Sequence, residues 1–368
     1  MTFDLRLVLC AVLAMTACGD NTSWDSVIAA EAAAGAHTVE VSLGDEASTR
    51  AEASVIASIP PTADVSPRQP GARVARGPGG TYIITGTYRT AAYTVHGSAG
   101  ELLKIVNQEG SGPGEYKYPE WAVTRRDSVF VFDTGNGRVA VLDSLHTHAR
   151  YFSRPVIFIR SLAARDGVFF AHSPPPSGLD GFEFKLFDDR GRIAAEFGDS
   201  TGERSVARRA VTFGADGDLW SAYYDQYVLQ QFERTGKLIR SLYVRRPWFE
   251  PWREWRELSP AVIDIASDSR GLLWVLVAKP VEGWQRPAAR MSSDGVHIAA
   301  TDSNDMDAGY DFVVDVIDPA QERIISSVDL PNGYFQGFIE PGVLYSFRND
   351  EDWLIHVDIW RIQQVPLN

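Results

Sequence analysis

The segment RRDSVFVFDTGNGRVAVLDSLHTHARYF, residues 125–152, carries the pattern that decides the fold. A polar turn leads into the apolar run 128–132, a glycine-containing turn leads into a second run at 139–142, and a further polar turn leads into the returning segment 148–152. Short runs of β-branched and aromatic residues bounded by turn residues are typical of β-strands. The segment therefore predicts strands joined by tight turns.

This pattern recurs along the chain. A Gly- or Asp-containing turn followed directly by an apolar run occurs six times, as GPGGTYIIT (77–85), RRDSVFVFD (125–133), ARDGVFFAH (164–172), GADGDLWSAY (214–223), SDSRGLLWVLV (267–277) and EPGVLYSF (340–347). Most copies are followed by a second hairpin, as in 93–106, 139–152, 184–197, 229–242 and 313–328. Each unit is therefore predicted to be a four-stranded antiparallel meander.

The spacing of the units predicts how they are arranged. Asp143, Asp188 and Glu233 occupy equivalent turns and lie 45 residues apart. Four strands every 40–50 residues or so are the signature of a β-propeller, in which each blade buries its faces against its neighbours. We therefore predict an all-β fold, a six-bladed propeller over residues 71–368, with an insertion in the fifth unit at about 280–309.

The last unit supplies three strands, at about 334–339, 343–347 and 353–365. A ring of blades must close or leave an exposed edge. Two segments before residue 70 have alternating apolar residues, HTVEVSL (37–43) and ASVIASI (53–59). We predict that one of them adds the missing outer strand and closes the ring.

The overall charge argues against one class of partner. The chain has 35 Lys and Arg against 48 Asp and Glu, a formal net charge of −13. Binding to nucleic acid draws most of its affinity from cationic surface, so no nucleic acid partner is expected.

The N-terminus predicts export. One arginine and then the apolar run LVLCAVLAMTA (7–17) match a secretory signal, and the run is too short to span a bilayer. The following Met15–Cys18 resembles the bacterial lipobox, although Met15 stands where leucine is usual. The resemblance implies a signal peptide over 1–17, lipidation of Cys18, and a tether over 18–70; cleavage after Ala17 without lipid is the alternative. An exported envelope lipoprotein, facing the periplasm or the cell surface, is the expectation.

Two motifs carry a resemblance to a family. FDTGNGRVAVLD, with Asp133, Asn136 and Arg138, is similar to the core of NHL-type repeats, and GSGPGEY (110–116) precedes it. With the lipobox, these motifs make the chain resemble the six-bladed β-propeller lipoproteins of bacteria. GSGPGEY, including Gly112, Pro113, Gly114 and Glu115, lacks the lysine and the strand-to-helix context of a phosphate loop. We interpret it as the crossing from the first blade to the second, with Glu115 and Tyr116 as its remaining functional candidates.

The resemblance leaves the function open. Propellers of this kind include binding and scaffold proteins, and relatives with similar folds are metal-dependent lactonases or lyases that act in the central channel. We favour capture of an envelope protein or a glycan, and keep a channel hydrolase or lyase as the alternative.

RRPWFEPWREWREL (245–258), which joins the fourth unit to the fifth, is the strongest binding candidate. Aromatic residues beside arginines are typical of surfaces that stack sugars or anchor proteins. The candidate contacts are Trp248, Trp252, Arg253 and Trp255, with Trp284 from the insertion. The alternative is a loop helix that simply packs on the propeller.

Metal sites have weaker support. His146 and His148 lie in one outer turn, and His172 ends a strand, but no spaced ligand motif links them. TDSNDMDAGYD (301–311) is acidic, yet its sixth position from Asp302 is Asp307 and not the glycine of an EF-hand loop. No cofactor is predicted; calcium or another divalent ion remains an alternative, and no catalytic residue is assigned.

Overall fold

The computed structural model describes residues 37–42, 49–61, 72–86, 91–106, 108–156, 158–175, 179–200, 208–249, 258–284, 290–291, 297–298, 309–349 and 355–366. Regular structure in this part of the chain is β-strand, apart from two short 3-10 turns at Pro78–Gly80 and Thr134–Asn136. The strands form six antiparallel sheets that are the blades of a ring. The predicted six-bladed propeller is therefore confirmed.

The first two strands, β1 (His37–Val41) and β2 (Thr49–Ile59), precede the ring in sequence. Blade 1 contains β3 (Arg73–Arg76), β4 (Tyr82–Thr85), β5 (Tyr93–His96) and β6 (Leu102–Val106). Blade 2 contains β7 (Pro119–Arg125), β8 (Ser128–Asp133), β9 (Arg138–Leu142) and β10 (His148–Ser153). Blade 3 contains β11 (Ser161–Arg165), β12 (Val168–His172), β13 (Gly181–Asp188) and β14 (Ile193–Ser200).

Blade 4 contains β15 (Arg209–Phe213), β16 (Leu219–Tyr223), β17 (Val228–Phe232) and β18 (Leu238–Val244). Blade 5 contains β19 (Ala261–Ser267), β20 (Leu273–Pro280), β23 (Tyr310–Asp318) and β24 (Arg323–Asp329). Its insertion includes a small hairpin of β21 (Arg290–Met291) and β22 (His297–Ile298). Blade 6 contains β25 (Tyr334–Glu340), β26 (Val343–Asn349) and β27 (Ile355–Pro366).

The core is divided among the blade interfaces. Each of six buried apolar clusters lies between two successive blades, and the cluster between blades 6 and 1 completes the circle. Strand β8 shows how the sequence produces this arrangement: Val129 and Val131 face blade 1, whereas Phe130 and Phe132 face blade 3. Side chains alternate between the faces of a strand, so a strand covered on both faces must be apolar at every position. This explains the continuous runs noted in the sequence.

Strand β2 closes the ring. It pairs antiparallel with β27 over ten registered residue pairs, from Thr49 with Pro366 to Ile59 with Val357, and becomes the outer strand of blade 6. Ala57 and Ile59 are buried in the cluster between blades 6 and 1. Of the two candidate segments, ASVIASI is therefore the closing strand.

HTVEVSL has a different place. It forms β1, which pairs in parallel with β18 and adds a fifth strand to the outer edge of blade 4. The amide N of Ile324 in blade 5 donates to the carbonyl of Ser42, 3.1 Å away. Strands β1 and β2, together with Ser42, thus contact the outer edges of blades 4, 5 and 6.

The innermost strands surround the central channel. These are β3, β7, β11, β15, β19 and β25, each in contact with the inner strands on both sides. All six run in the same direction. These strands begin at one end of the channel, where the links between blades arrive, and we call this end the connection face. We call the opposite end the turn face.

Candidate functional site

Three arginines from three blades lie at the connection-face mouth of the channel. Arg73 begins β3, and Arg160 and Arg208 stand just before β11 and β15. All three line a central cavity of about 350 Å³. Arg160 and Arg208 are exposed, whereas Arg73 is half-buried.

Arg73 is held flat against an aromatic ring. Its guanidinium carbon lies 3.5 Å from the ring centre of Trp121, on the neighbouring inner strand β7. Its Nη2 donates to the carbonyl of Arg160 over 3.5 Å, and its buried Nε has no hydrogen-bond partner in the part of the chain that the structure describes. Burial lowers the pKa of Arg73 and the like charge of Arg208 lowers it further, whereas Tyr345, Glu120 and Asp264 act in the opposite direction. The pocket therefore brings two positive charges close enough to repel each other.

Asp264 is the acidic group of the cavity. It lies in the middle of β19, and its carboxylate accepts hydrogen bonds from the amides of Phe338, 2.8 Å away, and Ile265, 2.9 Å away. Burial raises the pKa of Asp264 to about 6, and the nearby Arg73 and Arg208 partly offset this rise. Asp264 is therefore a carboxylate whose charge changes just below neutral pH.

A fourth arginine, Arg209, is already neutralised. Its Nε lies 3.3 Å from the Glu183 carboxylate, and its Nη1 donates to Gln230 over 2.8 Å. His172, one of the candidates from the sequence, accepts a hydrogen bond at Nδ1 from the Arg209 amide. Burial, followed by the positive charges of Arg209, Arg160 and Arg208, lowers the pKa of His172 to about 3. His172 is therefore neutral at physiological pH.

The turn-face end of the channel is different in charge. Arg76, at the end of β3, forms an ion pair of 2.8 Å with Glu340, at the end of β25. In the described residues, by contrast, neither Arg160 nor Arg208 forms an ion pair with a carboxylate. Among the described arginines that line the cavity, those without an acidic ion-pair partner therefore lie at the connection face.

The predicted aromatic site is described only in part. Trp252, Arg253 and Trp255 lie outside the described residues. Trp248 is partly exposed and packs against the cluster between blades 4 and 5, with the Nζ of Lys279 6.0 Å from its ring centre. Trp284 is also partly exposed, in the turn after β20.

A buried charge network fixes the start of this segment. Arg246 binds both carboxylate oxygens of Asp315, a fully buried residue on β23. Asp315 also accepts a hydrogen bond of 2.8 Å from the Tyr227 hydroxyl. Burial, together with the Asp315 charge, raises the pKa of Tyr227 well above its usual value. Trp248, two residues after Arg246, is therefore carried on an anchored backbone.

The GSGPGEY segment connects blade 1 to blade 2. The Arg138 guanidinium donates to the carbonyls of Ser111, Gly112 and Glu115 at 2.7, 3.0 and 2.7 Å. The Glu115 carboxylate accepts from the Gly112 amide at 2.7 Å, and Tyr116 is buried against Tyr93. The segment is thus held through its own carbonyls, and Glu115 and Tyr116 are engaged within it.

Asp133 and Asn136 complete this network. The buried Asp133 carboxylate accepts from the amides of Lys117 and Tyr118 at 3.1 and 2.9 Å. Asn136 donates to Asp133 at 2.6 Å and to the Gly110 carbonyl at 2.8 Å. Gly114 lies beside these groups with a φ of 79°, a left-handed conformation that glycine adopts without strain. Pro113 lies in the same turn.

Metal ligands are not grouped in the part of the chain that the structure describes: it contains no cluster of three His, Cys, Asp or Glu residues that could hold an ion. The acidic stretch 301–308 lies outside the described residues, as does the side chain of His148. His146 contacts the Tyr93 hydroxyl at 3.4 Å, and burial lowers the pKa of His146 to about 4. The prediction that 301–311 does not hold calcium is therefore untested by the described residues.

The sequence did not single out the channel residues. Arg73, Arg160 and Arg208 are separated by 87 and 48 positions, and only closure of the ring brings them together. One signal was present: each stands at or next to the first residue of an inner strand. Aligning the units on that strand would have shown the repeated arginine.

No protein-family model matches the chain, and no curated protein matches it. Among solved structures, it is similar to a member of the DUF4221 family from Bacteroides vulgatus, with 11% identity and a TM-score of 0.56 over 86% of this chain and 100% of that one. A Bacteroides fragilis protein named as a candidate exported protein shows 9% identity and a TM-score of 0.55 over 89% and 99% of the two chains. A streptogramin B lyase shows 12% identity and a TM-score of 0.45 over 87% and 100%.

Similarity at these identities concerns the fold alone. Together with the ring of blades, it defines the chain as a six-bladed β-propeller. Within the described residues, no helix is long and apolar enough to cross a membrane.

Proposed function

We propose that this protein is an exported bacterial lipoprotein that captures a protein or glycan partner on the connection face of its propeller. In this proposal residues 1–17 are the signal peptide, Cys18 carries the lipid, and 18–70 form the tether that also supplies β1 and β2. The Asp133, Asn136 and Arg138 network supports the place of the chain among propeller lipoproteins with NHL-like repeats.

The distribution of charged and aromatic groups between the two ends of the ring carries the proposal. Arg160, Arg208, Trp248 and Trp284 all reach solvent, wholly or in part, from links that enter or leave the connection face. At the turn-face mouth, Arg76 and Glu340 form an ion pair, so their charges offset each other. Exposed arginine and aromatic side chains dominate the energetics of binding surfaces, so the connection face is the face equipped for a partner.

Two large apolar residues are also exposed on the connection face, although the turn face has exposed apolar residues of its own, such as Leu145 at 75%. Phe158, in the link between blades 2 and 3, is 46% exposed, and Leu179, in the link between β12 and β13, is 58% exposed. Large apolar side chains that remain in contact with water are favourable contacts for a protein partner or for the faces of sugar rings.

Preorganisation favours binding by the aromatic segment. The Arg246 and Asp315 pair and the packing of Trp248 hold the backbone at the start of the segment before any partner arrives. A surface that is ordered in advance loses less conformational entropy on binding. The segment 245–258 is therefore the proposed contact for the partner.

Site-specific photocrosslinking in the native host tests this proposal. A photoreactive amino acid at Glu282, an exposed connection-face position of blade 5, should yield covalent adducts with a protein partner or with purified envelope glycan. The matched control is Ser269, an exposed turn-face position in the same blade. Adducts at both positions, or at Ser269 alone, would contradict the assignment of the binding face.

A further inference from the structure

The connection-face mouth holds more positive charge than the protein neutralises. Arg73, Arg160 and Arg208 converge there from three blades. These groups lie close together. The charge of Arg208 lowers the pKa of Arg73, and the charges of Arg160 and Arg208 help to lower the pKa of His172. Such clustering is unusual in a chain whose net charge is −13, because the rest of the molecule offers many carboxylates that could pair with these groups.

Two acidic groups near the mouth, Asp264 and Glu120, offset only part of the charge of the three arginines. Asp264, which lines the cavity, accepts two backbone hydrogen bonds and lies near enough to both Arg73 and Arg208 for their charges to lower its pKa. Glu120 also attracts Arg73, but its carboxylate accepts a hydrogen bond from Thr134 at 2.7 Å. The other two arginines that line the cavity have acidic partners: Arg209, beside the cluster, pairs with Glu183, and Arg76, at the turn-face end, pairs with Glu340.

The geometry of Arg73 suits recognition of an anion. Its guanidinium lies flat on Trp121, so its position is fixed, and the buried Nε has no partner among the described residues. A guanidinium held in one plane presents parallel donors that match the oxygens of a carboxylate or a phosphate. Arg160 and Arg208, both exposed at the rim, supply mobile donors around this fixed one.

We propose that this mouth is a binding site for a small ligand bearing an oxyanion, a carboxylate or a phosphate group, held by Arg73, Arg160 and Arg208. The cavity of about 350 Å³ lies at the lower end of the range for small-molecule pockets, so the ligand is a small acidic molecule or the acidic end group of a larger one. The inference deepens the proposed function and rests on it, since it names the chemistry that a captured molecule presents to the channel.

Sulfate is the first probe, because it stays a dianion over the whole working range of pH. Isothermal titration calorimetry of the detergent-solubilised full chain, at constant ionic strength maintained with chloride, should show saturable binding of sulfate. Inorganic phosphate and citrate, titrated in the same way, distinguish the two sources of the oxyanion. Preference for citrate indicates a carboxylate ligand, and preference for phosphate indicates a phosphate ester.

The variants Arg160→Gln and Arg208→Gln should each weaken binding roughly tenfold or more, the effect of losing one charged hydrogen bond. Both side chains are exposed, so the variants should fold normally. Arg192→Gln is the charge-matched control, because Arg192 is 73% exposed and pairs with Asp188 in the turn between β13 and β14. Arg73→Gln should abolish binding, with its melting temperature recorded as a check on folding.

Two results would overturn the inference. One is the absence of saturable heat for all three anions. The other is equal weakening by Arg192→Gln and Arg208→Gln, which would show that only the overall charge matters. Neither result affects the crosslinking at Glu282, so failure of the anion site and failure of the proposed binding face remain distinguishable.

Discussion

The hydroxyl of Ser58, in the N-terminal closing strand, donates a hydrogen bond of 2.5 Å to the carboxylate of Asp358, in the last strand of the chain. The two residues are 300 positions apart in sequence. Asp358 also accepts a hydrogen bond from Arg348 at 2.7 Å. The ring is therefore sealed by strand pairing and by a polar contact between its two ends.

Removal of the closing strand should destabilise the whole ring. Deletion of residues 37–60 leaves β27 as an open edge and exposes the residues that Ala57 and Ile59 cover. We expect the melting temperature to fall by roughly 10 °C or more, the equivalent of several kcal/mol in a domain of this size. Deletion of residues 37–42 alone removes only the fifth strand of blade 4 and should have a smaller effect. An unchanged melting temperature in the longer deletion would refute the closing role.

The Asp133→Ala variant should unfold more easily than the native protein. The Asp133 carboxylate is fully buried and accepts from two backbone amides. Leaving both amides unpaired should cost about 2–4 kcal/mol of unfolding free energy, measured by urea denaturation. Asp143→Ala is the matched control, because Asp143 accepts from two amides in an exposed turn; its loss should cost less than about 1 kcal/mol, since water replaces the carboxylate. Equal losses would contradict the role assigned to Asp133.

Asp264 should make stability depend on pH. Because burial raises its folded pKa from 3.8 to about 6, the folded state retains its proton to a higher pH than the unfolded state does. The free energy of unfolding should therefore fall as pH rises from about 4 to about 6, by roughly 2 kcal/mol from this group. Asp264→Asn should remove that part of the slope, measured by urea unfolding at several pH values. Parallel stability curves for the two proteins would show that the carboxylate titrates normally.

Replacement of Trp252 and Trp255 by alanine should abolish capture of the partner or glycan and leave the melting temperature almost unchanged. This follows from the binding role of the aromatic segment, because side chains that await a partner contribute little to the isolated fold. Trp248→Ala is the comparison, since Trp248 packs against a core cluster and its loss should lower stability. A collapse in stability of the double variant would support packing as the role of both residues.

Calcium should not bind to the acidic segment 301–311, because its ligand spacing does not match an EF-hand loop. Calorimetry with calcium, and elemental analysis of protein purified without chelator, measure this directly. Stoichiometric metal would instead favour the channel hydrolase or lyase. Substitution of Asp302, Asp305 and Asp307 by asparagine would then show whether the segment holds the ion.

The fold was predictable from the sequence because its determinants are local. Strands such as β8 are covered on both faces by neighbouring blades, and this requirement leaves continuous apolar runs with turns at a regular period. The parallel pairing of β1 with β18 was not predictable, since alternation shows that HTVEVSL is a strand but not which exposed edge it joins. The ion pair between Arg246 and Asp315 was not predictable either, because the two residues are 69 positions apart and meet only when two blades pack together.

The candidate site also contains a part that the sequence predicts and a part that it does not. GSGPGEY, Asp133, Asn136 and Arg138 are close in sequence, and their network could be anticipated from the motif. Arg73, Arg160, Arg208 and Asp264 have no shared motif, because they come from four different blades. A site assembled by symmetry from distant units has no signature within any single unit.

The parallel strand β1 determines how the propeller responds to mechanical tension. Force applied along the strand to the chain before His37 loads the hydrogen bonds between β1 and β18 in shear, so several must fail together. These bonds, with the contact between Ser42 and Ile324, lie upstream of the closing strand β2. In the proposed lipoprotein, tension on the tether would therefore be absorbed at the rim of blade 4 before it reaches the strand that keeps the ring closed.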